Sequence, residues 1–331
     1  MSVRLSGQDA SPEATPRTVR VTHTRSDRVY RRVAASAGVF TFVLLALIGI
    51  FLFIKAWPAF QDAGWSFFTT QEWVTPPRGD TYGVAALLYW TAVIAVIALL
   101  IALPVSVACA LFINEYAPRR LKGALTSLID LLAAVPSLIY GMWGAEYLRP
   151  RMVGISEWLA AHFGWIPIFK PTSENPIYGP SAFTAGVVVS LMVVPICTAV
   201  IREVFSQVPP GEKEGALALG GTRWGMIRSV VLPFGRGGII GGAMLGLGRA
   251  LGETIAILLI ISQLYQIRIN VIEAGANSIA AQIANAFGES SGVALSALLA
   301  AGLVLFGVTL LVNLGAAAVV ARSRSGSGVE I

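Results

Sequence analysis

Six apolar stretches, each long enough to cross a membrane as a helix, dominate the pattern along the chain. A hydrocarbon core of about 30 Å requires about 20 apolar residues in a helix. We therefore predict transmembrane helices at about residues 33–54, 82–113, 124–144, 180–201, 238–262 and 292–320. The expected fold is an all-α polytopic membrane protein with six transmembrane helices, which puts both termini on the same side.

Lys and Arg residues divide unequally between the segments that connect these helices. The N-terminal tail, the second-to-third and fourth-to-fifth connections and the C-terminus hold seventeen of them, against six in the other three loops. Arg249 lies within an apolar stretch and belongs to neither group. Because cytoplasmic loops are rich in Lys and Arg, we expect both termini to be cytoplasmic.

Composition agrees with a membrane protein and excludes several other classes. The 331 residues are 55% hydrophobic and 13% charged, with mean hydropathy +0.72, whereas a soluble domain has about 25% charged residues. The net charge of +6 follows the topology, so we expect membrane lipids and no nucleic acid as partners. Cys109 and Cys197 both lie in apolar runs, which argues against a disulfide. His23 and His162 are far apart and show no metal-ligand spacing.

The polar segments set the predicted domain boundaries. Residues 1–32 are rich in Ser, Thr, Pro and Arg without an apolar period, which predicts a disordered cytoplasmic tail. Residues 33–321 form the predicted transmembrane domain, with a long polar loop at 204–236, and residues 322–331 form a second cytoplasmic tail.

The loop at 204–236 contains the sequence EKEGALALGGTRWGMIRSVVLP, residues 212–233. Residues 214–219 suit a short helix, and Gly220-Gly221 breaks it. Thr222 can cap a second short helix, which Pro233 ends. Two short helices at an angle predict a knob that projects from the membrane.

This spacing resembles the "EAA" loop of the membrane permeases of ABC importers. The residues on the motif positions are Glu214, Ala216, Gly220, Leu232 and Pro233. Gly215 and Val230 depart from the motif, and only the glycine loosens the first short helix. The resemblance implies that residues 204–236 form a coupling loop, which docks into a groove of a separate ATPase subunit and carries its motion into the membrane.

The chain shows no ATP site of its own. Its four lysines are followed by Ala, Gly, Pro and Glu, so none belongs to a Gly-Lys-Ser/Thr phosphate loop. We therefore expect a transport subunit without enzymatic activity and without a cofactor, with ATP bound by a partner chain.

Further motifs resemble the phosphate-specific permeases of the PstC/PstA type. These are GRALGET at 248–254, LPVS at 103–106, NEYAP at 114–118 and PSLIYGMWG at 136–144, the last resembling the PstC half. The resemblance spans roughly residues 80–320. It implies a permease subunit of an inorganic phosphate importer in a bacterial plasma membrane. The implied partners are a second related permease, two ATPase subunits and an external phosphate-binding protein.

Arg249 and Glu253 are the only charged residues between Gly237 and Ile267. In a helix that starts near Gly237, Arg249 lies about 18 Å along the axis, close to the membrane midplane. A charge at that depth costs about 2.5–3.5 kcal/mol, so its side chain should face protein or water. A guanidinium suits phosphate oxygens. We predict that Arg249 forms a transient anion site and that Glu253, four residues on, holds it when phosphate is absent.

Two further residues complete the predicted substrate path. Thr254 ends the GRALGET signature, and Asp130 is the lone acid of the third apolar stretch. The alternative for Arg249 and Glu253 is a buried ion pair that only fixes helix register, and Asp130 has no evident partner. Gly238, Gly242 and Gly246 repeat every four residues and predict close helix packing, either within this chain or against a second permease.

Three other functions compete with this interpretation. A permease for sulfate or molybdate would have the same coupling loop. An ion-coupled carrier would use Arg249 and Glu253 as a proton relay and would transport without an ATPase. An intramembrane hydrolase would need a second membrane aspartate beside Asp130 or a Gly-x-Ser-x-Gly turn, and the sequence has neither.

Overall fold

A computed structural model describes residues 25–75 and 79–324, with side chains described up to residue 318. In this part of the chain the helices are Arg25–Ala63 (α1), Ser66–Thr69 (α2), Ala85–Leu111 (α3), Arg119–Ala134 (α4), Ser137–Trp143 (α5), Arg149–Phe163 (α6), Ala182–Ser206 (α7), Pro210–Ala218 (α8), Arg223–Met226 (α9), Leu232–Phe234 (α10), Arg236–Leu251 (α11), Ile255–Ile260 (α12), Ile279–Ala286 (α13) and Gly292–Arg324 (α14).

Two other kinds of regular structure occur. Two short strands, Trp73–Val74 (β1) and Thr81–Tyr82 (β2), pair antiparallel with Trp73 opposite Tyr82. Three single turns of π-helix, Phe112–Tyr116, Gly144–Leu148 and Ile227–Val231, continue neighbouring α-helices. Turns of this kind are frequent at functional sites, which directs attention to the first and third, at the end of α3 and in the coupling loop.

Helix length and composition fit a membrane-spanning chain. Four helices among the described residues are long and apolar enough to cross a membrane: α1, α3 with its π-turn, α7 and α14. Two bent pairs of helices raise the number to as many as six if each pair is one span. The chain divides into two compact units, residues 1–48 and 49–331, and the elements from α2 onward lie in the second.

The third predicted helix, 124–144, is not one continuous helix in the structure, so this prediction is wrong. The chain bends by 85° between α4 and the helical segment Ser137–Phe163. Val135 has φ −64° and ψ 128°, because the ring of Pro136 disfavours helical backbone at the preceding residue.

The fifth predicted helix, 238–262, is also broken. It ends at Leu251, since Gly252 has low helix propensity, and α12 begins at Ile255. Non-helical backbone at membrane depth is tolerated only where it is buried in protein or lines a water-filled cavity. This break therefore marks a place where the chain faces protein or water.

The ends of the membrane domain also differ from the prediction. Residues 25–32 are helical and not disordered, because straight-chain arginines and Asp27 in the first turn favour a helix. The rest of the predicted N-terminal tail, residues 1–24, lies outside the described residues. In the C-terminal tail, 322–324 continue α14, and 325–331 lie outside the described residues.

The coupling loop is more helical than predicted. Its first helix, α8, begins at Pro210 and ends at Ala218. Gly220 follows with φ +86°, a conformation that glycine adopts readily. Thr222 caps α9 as predicted and accepts a hydrogen bond from Gly225 N at 3.1 Å. Pro233 does not end the second helix, which runs to Phe234 before a bend of 65° leads into α11.

The core is built around α3 and α7. Small side chains on α3, including Ala95, Ala98 and Ala102, are fully buried. On α7, a methyl group at Gly186 would lie 2.5 Å from Ile97 Cγ2. Small residues let helix backbones approach closely, which compensates for the weak hydrophobic driving force inside a membrane. This pair forms the frame against which α11 and α12 pack.

Candidate translocation site and coupling loop

Arg249 lies in the last turn of α11, about 20 Å along the helix from Arg236. Its side chain is exposed in the isolated chain. Among the described residues, no carboxylate lies within salt-bridge distance of its guanidinium. The predicted membrane arginine is thus a cation without a counter-charge from the described part of its own chain.

Glu253 does not pair with Arg249, so the predicted ion pair along one helix face is wrong. The helix ends between the two residues, and Glu253 is only 5% exposed. Its Oε1 accepts a hydrogen bond from Ala256 N at 3.4 Å, in the first turn of α12. The carboxylate therefore stabilises the break in the helix and does not neutralise the arginine.

The two other predicted path residues lie on different elements. Thr254 precedes α12, and its hydroxyl donates to Gly252 O at 3.1 Å, within the same break. Asp130 is exposed on α4, which packs against α7. The structure thus brings Arg249, Glu253 and Thr254 to one break and places Asp130 on a separate helix.

The three glycines spaced by four residues pack within the chain. A methyl group at Gly238 would lie 2.6 Å from Val204 Cβ, and one at Gly242 would lie 3.0 Å from Ile201 Cγ1. At Gly246 it would lie 2.6 Å from Cys197 Sγ, and the Cys197 thiol donates to Gly242 O at 3.1 Å. Of the two predicted uses of this stripe, close contact between α11 and α7 of one chain is the one observed.

Two glycines let α5 and the turn after it pack closely against α12 and α7. A methyl group at Gly141 of α5 would lie 2.8 Å from Ala256 Cα, and one at Gly144 would lie 2.7 Å from Val188 Cγ2 on α7. Both glycines belong to the PSLIYGMWG motif. The motif thus places α5 directly against the helix that follows the break.

A polar cavity lies at the end of the molecule that contains the β1–β2 hairpin. It has a volume of about 620 Å³ and is lined by residues that include Asp80, Tyr82, Tyr265, Gln282 and Glu289. Burial, with a hydrogen bond to Asp80 and its charge, raises the pKa of Tyr82 to about 12. The charged residues among its described lining, Asp80 and Glu289, are both acidic.

Loops at the same end of α3 as the hairpin are tied together by side chains that the sequence alone did not single out. Glu273 is 5% exposed, and its Oε1 accepts from Thr172 N at 2.6 Å. Tyr89 Oη donates to Arg268 O at 2.9 Å, and Trp90 Nε1 donates to Gln266 O at 2.9 Å. These bonds fix the loop between α12 and α13 to the start of α3 and to the loop before α7.

The coupling loop presents a mixed polar and apolar surface. Glu214 is exposed on α8, and Leu219 just after the helix is 92% exposed. Trp224 on α9 is exposed as well. Ala216 and Leu232 are partly buried, whereas Gly220 and Pro233 are exposed. Exposed apolar side chains beside a charge are typical of a protein–protein contact.

Lys213 makes a contact that the sequence did not predict. Its Nζ lies 2.6 Å from Glu115 Oε1 in the π-turn after α3, and the two side chains are 22% and 9% exposed. The available signal was the NEYAP motif, which places an acid directly after a long apolar run. Only the fold shows that this acid meets the coupling loop.

Comparison with known proteins agrees with these features. The family model described as "Binding-protein-dependent transport system inner membrane component" matches residues 102–325. The chain is 40% identical over 304 residues to the phosphate transport system permease protein PstC 2 of Mycobacterium tuberculosis, covering 91% of this chain and 94% of that protein. It is 40% identical over 287 residues to PstC of Haemophilus influenzae, covering 86% and 90% of the two chains.

A solved structure supports the fold. A chain of a bacterial ABC transporter involved in the import of the acidic polysaccharide alginate superposes with a TM-score of 0.52 and 18% identity. The match covers 89% of this chain and 99% of that chain. The predicted all-α permease fold and the predicted resemblance are therefore confirmed. The chain belongs to the binding-protein-dependent transport system inner membrane components, and within them to the PstC family of phosphate transport permeases.

Proposed function

We propose that the chain is the permease subunit of an ATP-driven importer of inorganic phosphate, with Arg249 as an anion contact on the translocation path. The observation that carries this proposal is an uncompensated guanidinium beside a helix break in an apolar segment. A charge at that depth is costly unless protein, water or a ligand solvates it. A passing phosphate can supply the missing negative charge, and the guanidinium fork matches its oxygens.

Weak and transient binding suits this site. Conduction requires a contact favourable enough to enter and weak enough to leave. A single guanidinium whose neighbouring acid, Glu253, is engaged with Ala256 N meets this requirement better than a closed pocket. Thr254 fixes the same backbone, and Asp130 contributes only if a second subunit or a rearrangement brings it to the path.

The coupling loop provides the link to ATP. As a member of its family, the chain works within an ABC transport complex that includes an ATPase. We assign the contact to the exposed surface around Glu214, Leu219 and Trp224. The proposed assembly contains a second homologous permease, two ATPase subunits and an external phosphate-binding protein.

The orientation of the chain in the membrane follows from the same proposed assembly. ATP is available in the cytoplasm, so the coupling loop lies on the cytoplasmic side of the inner membrane, and both termini lie there too. The hairpin and the loop held by Glu273 then face outward, where the binding protein delivers its phosphate.

Phosphate uptake by proteoliposomes that contain the complete importer tests this function. We expect Arg249→Gln to abolish ATP-dependent uptake while the complex still assembles. Near-normal uptake by this variant would refute the anion site. Competition by sulfate or molybdate as strong as that by unlabelled phosphate would favour the other oxyanions, and uptake without nucleotide would favour an ion-coupled carrier.

A further inference from the structure

The contact between Lys213 and Glu115 joins the coupling loop to the membrane helices. The 2.6 Å distance between Nζ and Oε1 is that of a short charge-assisted hydrogen bond. Both side chains are largely shielded from water, so salt screens the pair less than a surface pair.

Glu115 occupies a point where three membrane helices are held together. It lies in the π-turn Phe112–Tyr116 that continues α3. Its neighbour Asn114 donates from Nδ2 to Arg202 O of α7 at 2.8 Å. Lys122 of α4 donates from Nζ to Asn114 O at 2.5 Å. A force applied to Glu115 is therefore shared among α3, α4 and α7.

Lys213 is the coupling-loop partner of Glu115 in this ion pair. It precedes Glu214 in α8, and its half-buried side chain points to Glu115 while Glu214 remains exposed. Adjacent residues of a helix project about 100° apart. One side of α8 thus contacts the membrane domain while another remains free for a partner.

We propose that Lys213 and Glu115 are positioning residues that transmit the movement of α8 to the membrane helices. This proposal rests on the function proposed above, because it assumes that an ATPase moves α8. When α8 moves, the ion pair draws the π-turn with it, and the bonds of Asn114 pass the displacement to α4 and α7. A single π-helical turn suits this role because such turns are frequent at functional sites.

A purely stabilising ion pair would have different consequences. It would stabilise the fold equally well with the two charges exchanged. Its loss would lower the melting temperature without changing the amount of phosphate taken up per ATP hydrolysed. A transmitting pair affects that ratio, because ATP hydrolysis continues on the partner while the membrane helices no longer follow.

The test uses the complete importer, with its ATPase subunits and binding protein, in proteoliposomes. The variants are Lys213→Met and Glu115→Gln, which remove one charge at similar length, and the exchange Glu115→Lys with Lys213→Glu. Glu203→Gln is the matched control, since Glu203 is an exposed acid near the same end of α7. Phosphate uptake and ATP hydrolysis are measured on the same vesicles, with the melting temperature of each complex.

We expect each single variant to lower the phosphate taken up per ATP hydrolysed by roughly five- to tenfold, a usual range for coupling between sites. The exchange should recover at least half of the wild-type ratio, and Glu203→Gln should leave it unchanged. An unchanged ratio in the single variants would overturn the proposal. If a single variant does not assemble, Glu115→Asp replaces it, because it keeps the charge and shortens the side chain: an assembled complex with a lowered ratio supports the proposal, and an unchanged ratio overturns it. Wild-type vesicles without phosphate uptake would refute the importer function itself, which is a separate result.

Discussion

Gly246 of α11 lies directly against Cys197 of α7, with no room between them for a side chain. A methyl group on Gly246 would come within 2.6 Å of Cys197 Sγ and 2.7 Å of Val193 Cγ1. Both neighbours are buried, so neither can move into open space. The contact fixes the distance between the helix that carries Arg249 and the central helix of the core.

Gly246→Ala should therefore destabilise the protein. Overpacking a close-packed interior costs about 1–3 kcal/mol, so we expect a lower melting temperature in detergent and less assembled complex in the membrane. Gly248→Ala is the matched control, because the nearest atom to a methyl group there, Asn313 Oδ1, is 3.7 Å away. Equal melting temperatures for the two variants would show that α11 and α7 are not in the close contact described.

Arg249→Lys should retain some transport but less than wild type. Lysine keeps the positive charge and loses the planar fork that binds two oxygens at once. Losing a hydrogen bond to a charged group costs about 1.5–3 kcal/mol, which predicts a maximal uptake rate about tenfold lower or more. The half-saturating phosphate concentration should change little, since the proposed external binding protein captures the substrate. A lysine variant with wild-type rate would show that charge alone is sufficient.

Two substitutions separate the hydrogen-bonding role of the Glu253 side chain from its negative charge. If the carboxylate mainly accepts the bond from Ala256 N, Glu253→Gln keeps an acceptor at the same place, whereas Glu253→Ala removes it. We expect phosphate uptake to fall clearly more in the alanine variant than in the glutamine variant. Equal loss in both variants would mean that the negative charge itself acts in the transport cycle, as the ion-pair hypothesis required.

Glu214→Lys should weaken the contact with the ATPase. The side chain is exposed on α8 and makes no described ion pair, so the reversal should leave the fold intact. A misplaced charge at an interface costs several kcal/mol, and we expect at least a tenfold loss in co-purified ATPase or uncoupled ATP hydrolysis. Glu203→Lys makes the same charge reversal at an exposed position outside α8 and serves as control. Wild-type binding and coupling would contradict the docking role of this helix.

The sequence was sufficient for the fold class, because long uncharged runs leave few alternatives in a membrane. It also identified the cap at Thr222 and the turn at Gly220, since both depend on neighbouring residues only. The two broken helices were missed. Pro136 was present as a local signal, but apolar runs on both sides of it concealed the bend. At Gly252 the local signal was a single glycine, and its low helix propensity alone does not distinguish a helix end from a packing position.

The candidate site was predictable in part for a similar reason. Arg249 is conspicuous because a charge in an apolar run carries information without any knowledge of the fold. Its separation from Glu253 could not be foreseen, since a spacing of four residues indicates pairing only where the helix is continuous. The contact of Lys213 with Glu115 joins residues 98 positions apart. No local pattern reports a contact of that range.

The tight seating of Gly186 on Ile97 limits how the protein can change shape. Sliding α7 along α3 by even one residue would bring a bulkier neighbour to that point and force the two backbones apart. The helices α3 and α7 should therefore move as one rigid body throughout the transport cycle. Opening and closing should then occur where other helices are interrupted, at the bend between α4 and α5 and at the break between α11 and α12.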